Sequence, residues 1–183
     1  MTTSVVFFLF ALLLAISSNH TEVDATPVDP LFPVCKTVGG GSPYFNVNFC
    51  MLALGSDSRS HDARNYQDLS VIAVDLITAN ATSTAAKIDG LLKKGGGDAT
   101  VQQGLLSCQV LYKGIVERQP SCAAAVKAGK FSEATSSLEQ TASAAKQCED
   151  VFGRSKVASP LTLEDDHEFK LAKLAVALLG YAK

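Results

Sequence analysis

The sequence predicts an all-α fold: an up-down-up-down four-helix bundle, preceded by a short N-terminal helical hairpin and stapled by two disulfides. Three observations carry this. Between Val101 and Phe152, two apolar stripes step by alternating threes and fours, the spacing that keeps one face of a helix turned to a partner. Only Lys127-Ala128-Gly129-Lys130 separates them, and so short a connection forces the two helices antiparallel. Cys108 and Cys148 lie on the facing seams, about 20 residues either side of Gly129, so a bridge between them falls at matching depth in that hairpin.

The chain has 183 residues, the length of one domain. Residues 1–25 read as a secretory signal. Val5 to Ile16 is an almost wholly apolar run, too short to cross a bilayer and of signal-core length. Val23-Asp24-Ala25 supplies a small-residue cleavage pattern, and Ser17 or Ser18 offers another; no Lys or Arg precedes the run. Residues 26–183 are then the working domain, with the hairpin at 30–58 and the bundle at 61–183. The signal contains Glu22 and Asp24, so of the 18 acidic residues 16 remain against 16 basic ones. A formally neutral chain without a basic stripe excludes nucleic acid as a partner. No basic amphipathic helix and no second long apolar run call for a membrane.

Thr26 to Pro33 carries Pro27, Pro30 and Pro33 and reads as an extended lead-in. Cys35 to Cys50 encloses Gly39-Gly40-Gly41-Ser42-Pro43 between two apolar patches and reads as a helical hairpin closed by its own bridge. A loop of that size contributes about 3 kcal/mol in the chain-entropy picture. After the Gly55-Ser56-Asp57-Ser58 loop, the first long helix is expected from His61 to Lys94, with Leu69, Ile72, Leu76, Ala79, Ser83, Ala86 and Gly90 inward. Asn80-Ala81-Thr82 on that helix is a glycosylation sequon; Asn19-His20-Thr21 leaves with the signal. Gly95-Gly96-Gly97 ends the helix and Asp98 caps the next.

The central pair then runs to Phe152. Pro120 lies inside its first helix and predicts a kink, not a stop, because the stripe resumes at Cys122. Gly153 to Leu161 is a loop. Thr162 is the expected cap of the last helix, with Glu164, Asp165 and Asp166 at its positive end. Leu171, Leu174 and Leu178, widened by Phe169, Ala172, Val176 and Leu179, predict a well-buried helix.

No catalytic constellation stands in the sequence. His61 and His167 read as solvated surface histidines. The five cysteines, Cys35, Cys50, Cys108, Cys122 and Cys148, include an odd one, and Cys122, on an inward seam, reads as a buried inert thiol. The run Glu164 to Glu168 complements the helix dipole more simply than it makes a metal patch. Zinc spacings, G-x-S-x-G, H-E-x-x-H and dinucleotide fingerprints are lacking. No enzyme, metal or cofactor is implied; function points to surface recognition.

A signal, a Cys35–Cys50 hairpin and a bundle with Cys108 and Cys148 on its second and third helices resemble the plant invertase and pectin methylesterase inhibitor family. The strings Pro43-Tyr44-Phe45-Asn46-Val47-Asn48-Phe49-Cys50, Leu69-Ser70-Val71-Ile72-Ala73 and Cys148-Glu149-Asp150-Val151-Phe152 support it over nearly all of the mature chain. Within the family it is most similar to pollen proteins provisionally described as invertase inhibitors, some of them allergens. The resemblance implies the pairs Cys35–Cys50 and Cys108–Cys148, already reached from spacing and depth, with Cys122 as the extra thiol. It also implies a secreted protein of the apoplast or vacuole, a monomer when free, that binds a target enzyme one to one.

The family's invertase branch carries Pro-Lys-Phe at the tip between the second and third bundle helices. This chain has Gly129-Lys130-Phe131, with glycine leaving the tip less restrained than proline would. Lys130 suits the paired carboxylates of a glycosidase cleft, and Phe131 is the candidate anchor, or else closes the core end. The other branch lays helix faces over pectin methylesterase; Gln102, Gln109, Lys113, Glu117, Glu133 and Gln140 are the exposed candidates for that. A third reading, from another class, is a bundle holding a small apolar ligand in a cavity left by Ala79, Ser83, Ala86, Ala123 to Ala125 and Ala142 to Ala145.

Overall fold

The computed structural model describes residues 29–95 and 97–182; the signal at 1–25 lies outside the described residues. Six helices follow in order: α1 (Leu31–Gly39), α2 (Val47–Gly55), α3 (Tyr66–Lys93), α4 (Ala99–Lys127), α5 (Phe131–Arg154) and α6 (Thr162–Leu179), with a 3-10 turn at Ser58–Asp62. Among the described residues there is no strand. The four long helices form an up-down-up-down bundle in which α3 packs on α4 and α6, and α5 on α4 and α6.

The first bundle helix starts later than the expected His61. Asp57 caps the 3-10 turn at the Arg59 N–H, and the chain turns extended again at Ala63. Asn65 then caps α3 by accepting from the Asp68 N–H at 2.8 Å. Arg59 braces the turn against α3 through Asp75 at 2.9 Å. The inward line of α3 also differs in its second half. Leu69, Ala73, Ile77, Ala81, Thr84 and Ile88 are buried, whereas Ala79, Ser83 and Ala86 are exposed. Small residues give little phase information, and Ile77 and Ile88, with more surface to remove from water, decide the rotation. Helix α3 is long and apolar enough by composition to cross a membrane, a property the sequence reading missed, but here it is the bundle's core helix.

Helices α4 and α5 follow their stripes. Leu105, Cys108, Tyr112, Ile115, Gln119, Cys122 and Val126 are buried on α4, and Ala134, Leu138, Thr141, Ala145, Cys148 and Phe152 on α5. Asp98 caps α4 by accepting from the N–H groups of Thr100 and Val101, both at 2.9 Å. The helix runs through Pro120 without a break. Buried Gln119 donates to Thr141 Oγ1 at 3.1 Å, filling the α4–α5 seam with a paired polar contact. Near the far end, Gly104 lets the Phe152 ring lie against the α4 backbone: a Cβ there would sit 2.5 Å from Phe152 Cε1.

Helix α6 lacks the expected Thr162 cap. Its N-cap is Leu161, with no side-chain bond, because the Thr162 hydroxyl reaches across to Glu149 Oε1 at 2.9 Å.

The disulfides are Cys35–Cys50 within the α1–α2 hairpin and Cys108–Cys148 between α4 and α5. The hairpin leans on the α3–α6 side of the bundle. Tyr44 meets Phe169 edge-on at 5.7 Å, Phe49 meets His167 at 5.6 Å, and the Lys173 ammonium lies 4.7 Å above the Tyr44 ring. Leu31, Cys35, Phe45, Cys50 and Leu54 join its core to that of the bundle.

Candidate target-binding tip

Helix α4 ends in a Schellman motif. Gly129 takes the left-handed conformation, φ 71°. Its N–H donates to Val126 O at 3.0 Å, and the Lys130 N–H reaches back to Ala125 O at 2.9 Å. Helix α5 starts at once, at Phe131. A further side chain closes this end: Gln67, in the first turn of α3, donates to Val126 O at 2.8 Å. The carbonyls that a helix C-terminus leaves unpaired are thus answered from two directions.

This revises the expectation that glycine leaves the tip loosely held. A proline at 129 would need φ near −65° and has no N–H to give Val126. The tip is therefore not a proline motif with one residue exchanged. It is a glycine-dependent turn, fixed by backbone bonds and by α3.

Lys130 stands at the apex with its side chain 60% exposed, 3.6 Å from Glu133. Phe131 is half-buried and packs against the core, so it supports the tip and leaves only part of its ring to a partner. Tyr66 stacks on Tyr181 at 5.3 Å between α3 and the end of α6, at the same end of the bundle as Gln67. Sequence reasoning missed both the Gln67 clamp and this pair; neither sits in a motif, and both depend on which helix ends are neighbours.

The other candidates lie apart from the tip. Gln102, Lys113, Glu117, Glu133 and Gln140 are exposed. Gln109 is tied to Asp89 at 2.6 Å. Unforeseen, Leu106 and Val110 expose apolar side chains on α4, Val110 to 72%, and Val110 lines a groove of about 620 Å³ with Ala85, Lys113 and Val116.

Asn80 does not project from the bundle. Its Nδ2, the atom a glycan would occupy, donates to buried Glu168 at 2.6 Å, and its Oδ1 lies 3.1 Å from His167 Nδ1. His167 is exposed, as expected, with its ring against Asn80, and partial burial of that ring pulls its pKa down. His61 stays half-exposed, 3.9 Å from Asp29. Cys122 is free and buried, and burial pushes its thiol up. The acidic run at α6 does more than face a dipole: Asp165 and Glu168 are buried, and Tyr112 donates to Asp165 at 2.7 Å. Among the described residues no group of His, Cys, Asp and Glu is arranged to hold a metal. The small residues proposed to leave a cavity do not face one another, since Ala79, Ser83 and Ala86 are outside while Ala142, Ala144 and Ala145 are packed.

The family model described as "Plant invertase/pectin methylesterase inhibitor" matches residues 34–178. The chain belongs to this family. It is accordingly an inhibitor-type protein, not an enzyme. Two curated relatives named "Putative invertase inhibitor" are similar to it: one from Platanus orientalis, 29% identical over 79% of this chain and 84% of its own, and one from Platanus acerifolia, 27% identical over 96% and 94%. Two solved structures share the fold. A mutant form of a pectin methylesterase inhibitor from Arabidopsis superposes with a TM-score of 0.67 at 19% identity, over 80% of this chain and 93% of that one. A pectin methylesterase inhibitor from Arabidopsis thaliana gives 0.60 at 17%, over 84% and 96%. Family membership places a target enzyme, either an invertase or a pectin methylesterase, as this inhibitor's partner class.

Proposed function

We propose that this chain is a secreted inhibitor of an acid invertase (β-fructofuranosidase), acting in the apoplast or vacuole by seating Gly129-Lys130-Phe131 in the active-site cleft as a one-to-one complex. The supporting observation is the tip itself: an exposed cation on a turn held by Gly129, Lys130 and Gln67 bonds. A tip already fixed loses little freedom on docking, which favours affinity. Lys130 complements the carboxylate pair of a glycosidase, while Phe131 holds the turn to the core. The names of the Platanus relatives favour the same branch.

A second reading, inhibition of pectin methylesterase, draws on the exposed Leu106 and Val110 strip of α4, the kind of apolar centre that a helix-face interface needs.

The test is a paired titration of oxidised protein against an acid invertase and a pectin methylesterase. The expected result is near-stoichiometric loss of sucrose hydrolysis, weakened at least ~10-fold by Lys130→Ala. Loss of pectin de-esterification alone, abolished by Val110→Asp and indifferent to Lys130→Ala, assigns the second reading. Lys130→Ala with full invertase inhibition removes the tip from the mechanism.

A further inference from the structure

One polar layer crosses the bundle interior in the half away from the tip. Each long helix contributes: Asn80 from α3, Tyr112 from α4, Glu149 from α5, Asp165 and Glu168 from α6. Three donors serve three carboxyl oxygens. Tyr112 donates to Asp165 Oδ1 at 2.7 Å, Asn80 to Glu168 Oε2 at 2.6 Å, and Thr162 to Glu149 Oε1 at 2.9 Å. The other oxygen of each carboxyl, Glu149 Oε2, Asp165 Oδ2 and Glu168 Oε1, is buried without a donor. Asp165 and Glu168 are 2% and 0% exposed.

Among the described residues no cation enters the layer to answer them. Lys87 is held by Glu164, Lys146 by Asp150 and Lys170 by Asp166, all at the rim. The groups facing Asp165 are Tyr112 from α4, Glu149 from α5, and Glu164 and Glu168 from its own helix; α3 offers Lys87, already paired, and the uncharged Asn80. His167, beside Asn80, has its pKa pulled down by partial burial. Ionised carboxyls buried in such company are costly, and a bound proton is the direct relief.

We propose that this layer is a proton-binding site, in which Asp165, facing Glu149 across the α5–α6 interface, holds one proton and Glu168 another, so that the bundle is clasped in acid and loosened toward neutral pH. A groove of about 410 Å³ between α5 and α6 is lined by Glu149, Thr162, Asp165 and Phe169. The pKa directions agree. Burial pushes Asp165 up to about 7, against the Tyr112 hydrogen bond and with help from Glu149 and Glu164. Burial pushes Glu168 up to about 8, against the Asn80 bond and with help from Asp165.

The sign follows from linkage. In the unfolded chain these carboxyls titrate near 4. Between there and about 7 to 8 the folded state binds more protons than the unfolded one, so stability falls as pH rises. The contribution is complete below about pH 4 and gone above about pH 8.

The experiment is urea unfolding of the oxidised full chain from pH 5 to 8. The folding constant is expected to fall at least ~10-fold across that range, and Asp165→Asn, which keeps the shape without the charge, is expected to make the fall clearly shallower while leaving the part that Glu168 carries. If that variant does not fold, the wild-type Asp165 carboxyl followed by carbon-13 NMR carries the test: titration above pH 6 supports the site. Titration near 4, or a pH-independent folding constant, overturns it. So does a millimolar calcium or magnesium addition that abolishes the slope at neutral pH, since the layer would then be a cation site.

Discussion

At Gly104 the chain omits a side chain so that an aromatic ring can rest on helix backbone. Phe152 is 1% exposed and cannot swing outward cheaply. Gly104→Ala therefore meets two opposing effects. Helix propensity favours alanine by about 1 kcal/mol. Forcing a methyl into a contact of 2.5 Å displaces a buried ring, at about 1–3 kcal/mol. The expected outcome is net destabilisation, read as a lower urea midpoint with an unchanged slope. Single-residue burial was the least legible level of this sequence. Asp165 and Glu168 fall on the apolar spacing Leu161, Asp165, Glu168, Ala172, Ala175, Leu179, all buried. An acid at two successive inward positions was the available signal, and the helix-dipole argument explained it away. Asn80 shows the same limit: a sequon specifies residue types, while its amide's partner, Glu168, lies 88 residues along the chain.

Among the elements, legibility followed side-chain size. Helices α4 and α5 alternate Leu, Tyr, Ile, Val, Phe and Cys with polar residues, and every stripe position but Val101 and Phe131 is buried. The second half of α3, written in Ala, Ser and Thr, left its rotation to neighbours that a linear reading does not see. The α4–α5 turn shows the same split. Its place and its Gly were evident; the Schellman bonds and the Gln67 clamp were not. This turn yields a graded prediction. Gly129→Ala keeps the N–H but forces a Cβ into the left-handed region, for about 1–2 kcal/mol. Gly129→Pro loses the conformation and the Val126 bond together, for about 3 kcal/mol or more. Urea unfolding should rank them in that order. Invertase inhibition should weaken with proline far more than with alanine, even though proline is the residue at this place in the invertase-inhibitor motif that the chain resembles.

For the whole molecule, architecture was legible because independent signals agreed: periodicity, loop length and cysteine depth all require the same antiparallel packing. How the terminal hairpin leans on α3 and α6 was not, since it rests on Tyr44, Phe49, Phe169 and Lys173 meeting across the chain. The acid-stabilised polar layer belongs to this scale too, because it exists only when four helices are assembled.

The Cys108–Cys148 bridge spans 40 residues, and Lys127 to Lys130, all exposed, lie inside that span. The apex is thus part of a covalent ring. A protease that cuts after Lys127 or Lys130 opens the ring without dividing the molecule. Briefly trypsinised protein, cut at the apex alone, is expected to run as one species without reductant and as two fragments with it. A target enzyme would still meet both halves of a severed apex held side by side, and an inhibitor that survives its own cleavage would lose activity only when its disulfides are reduced.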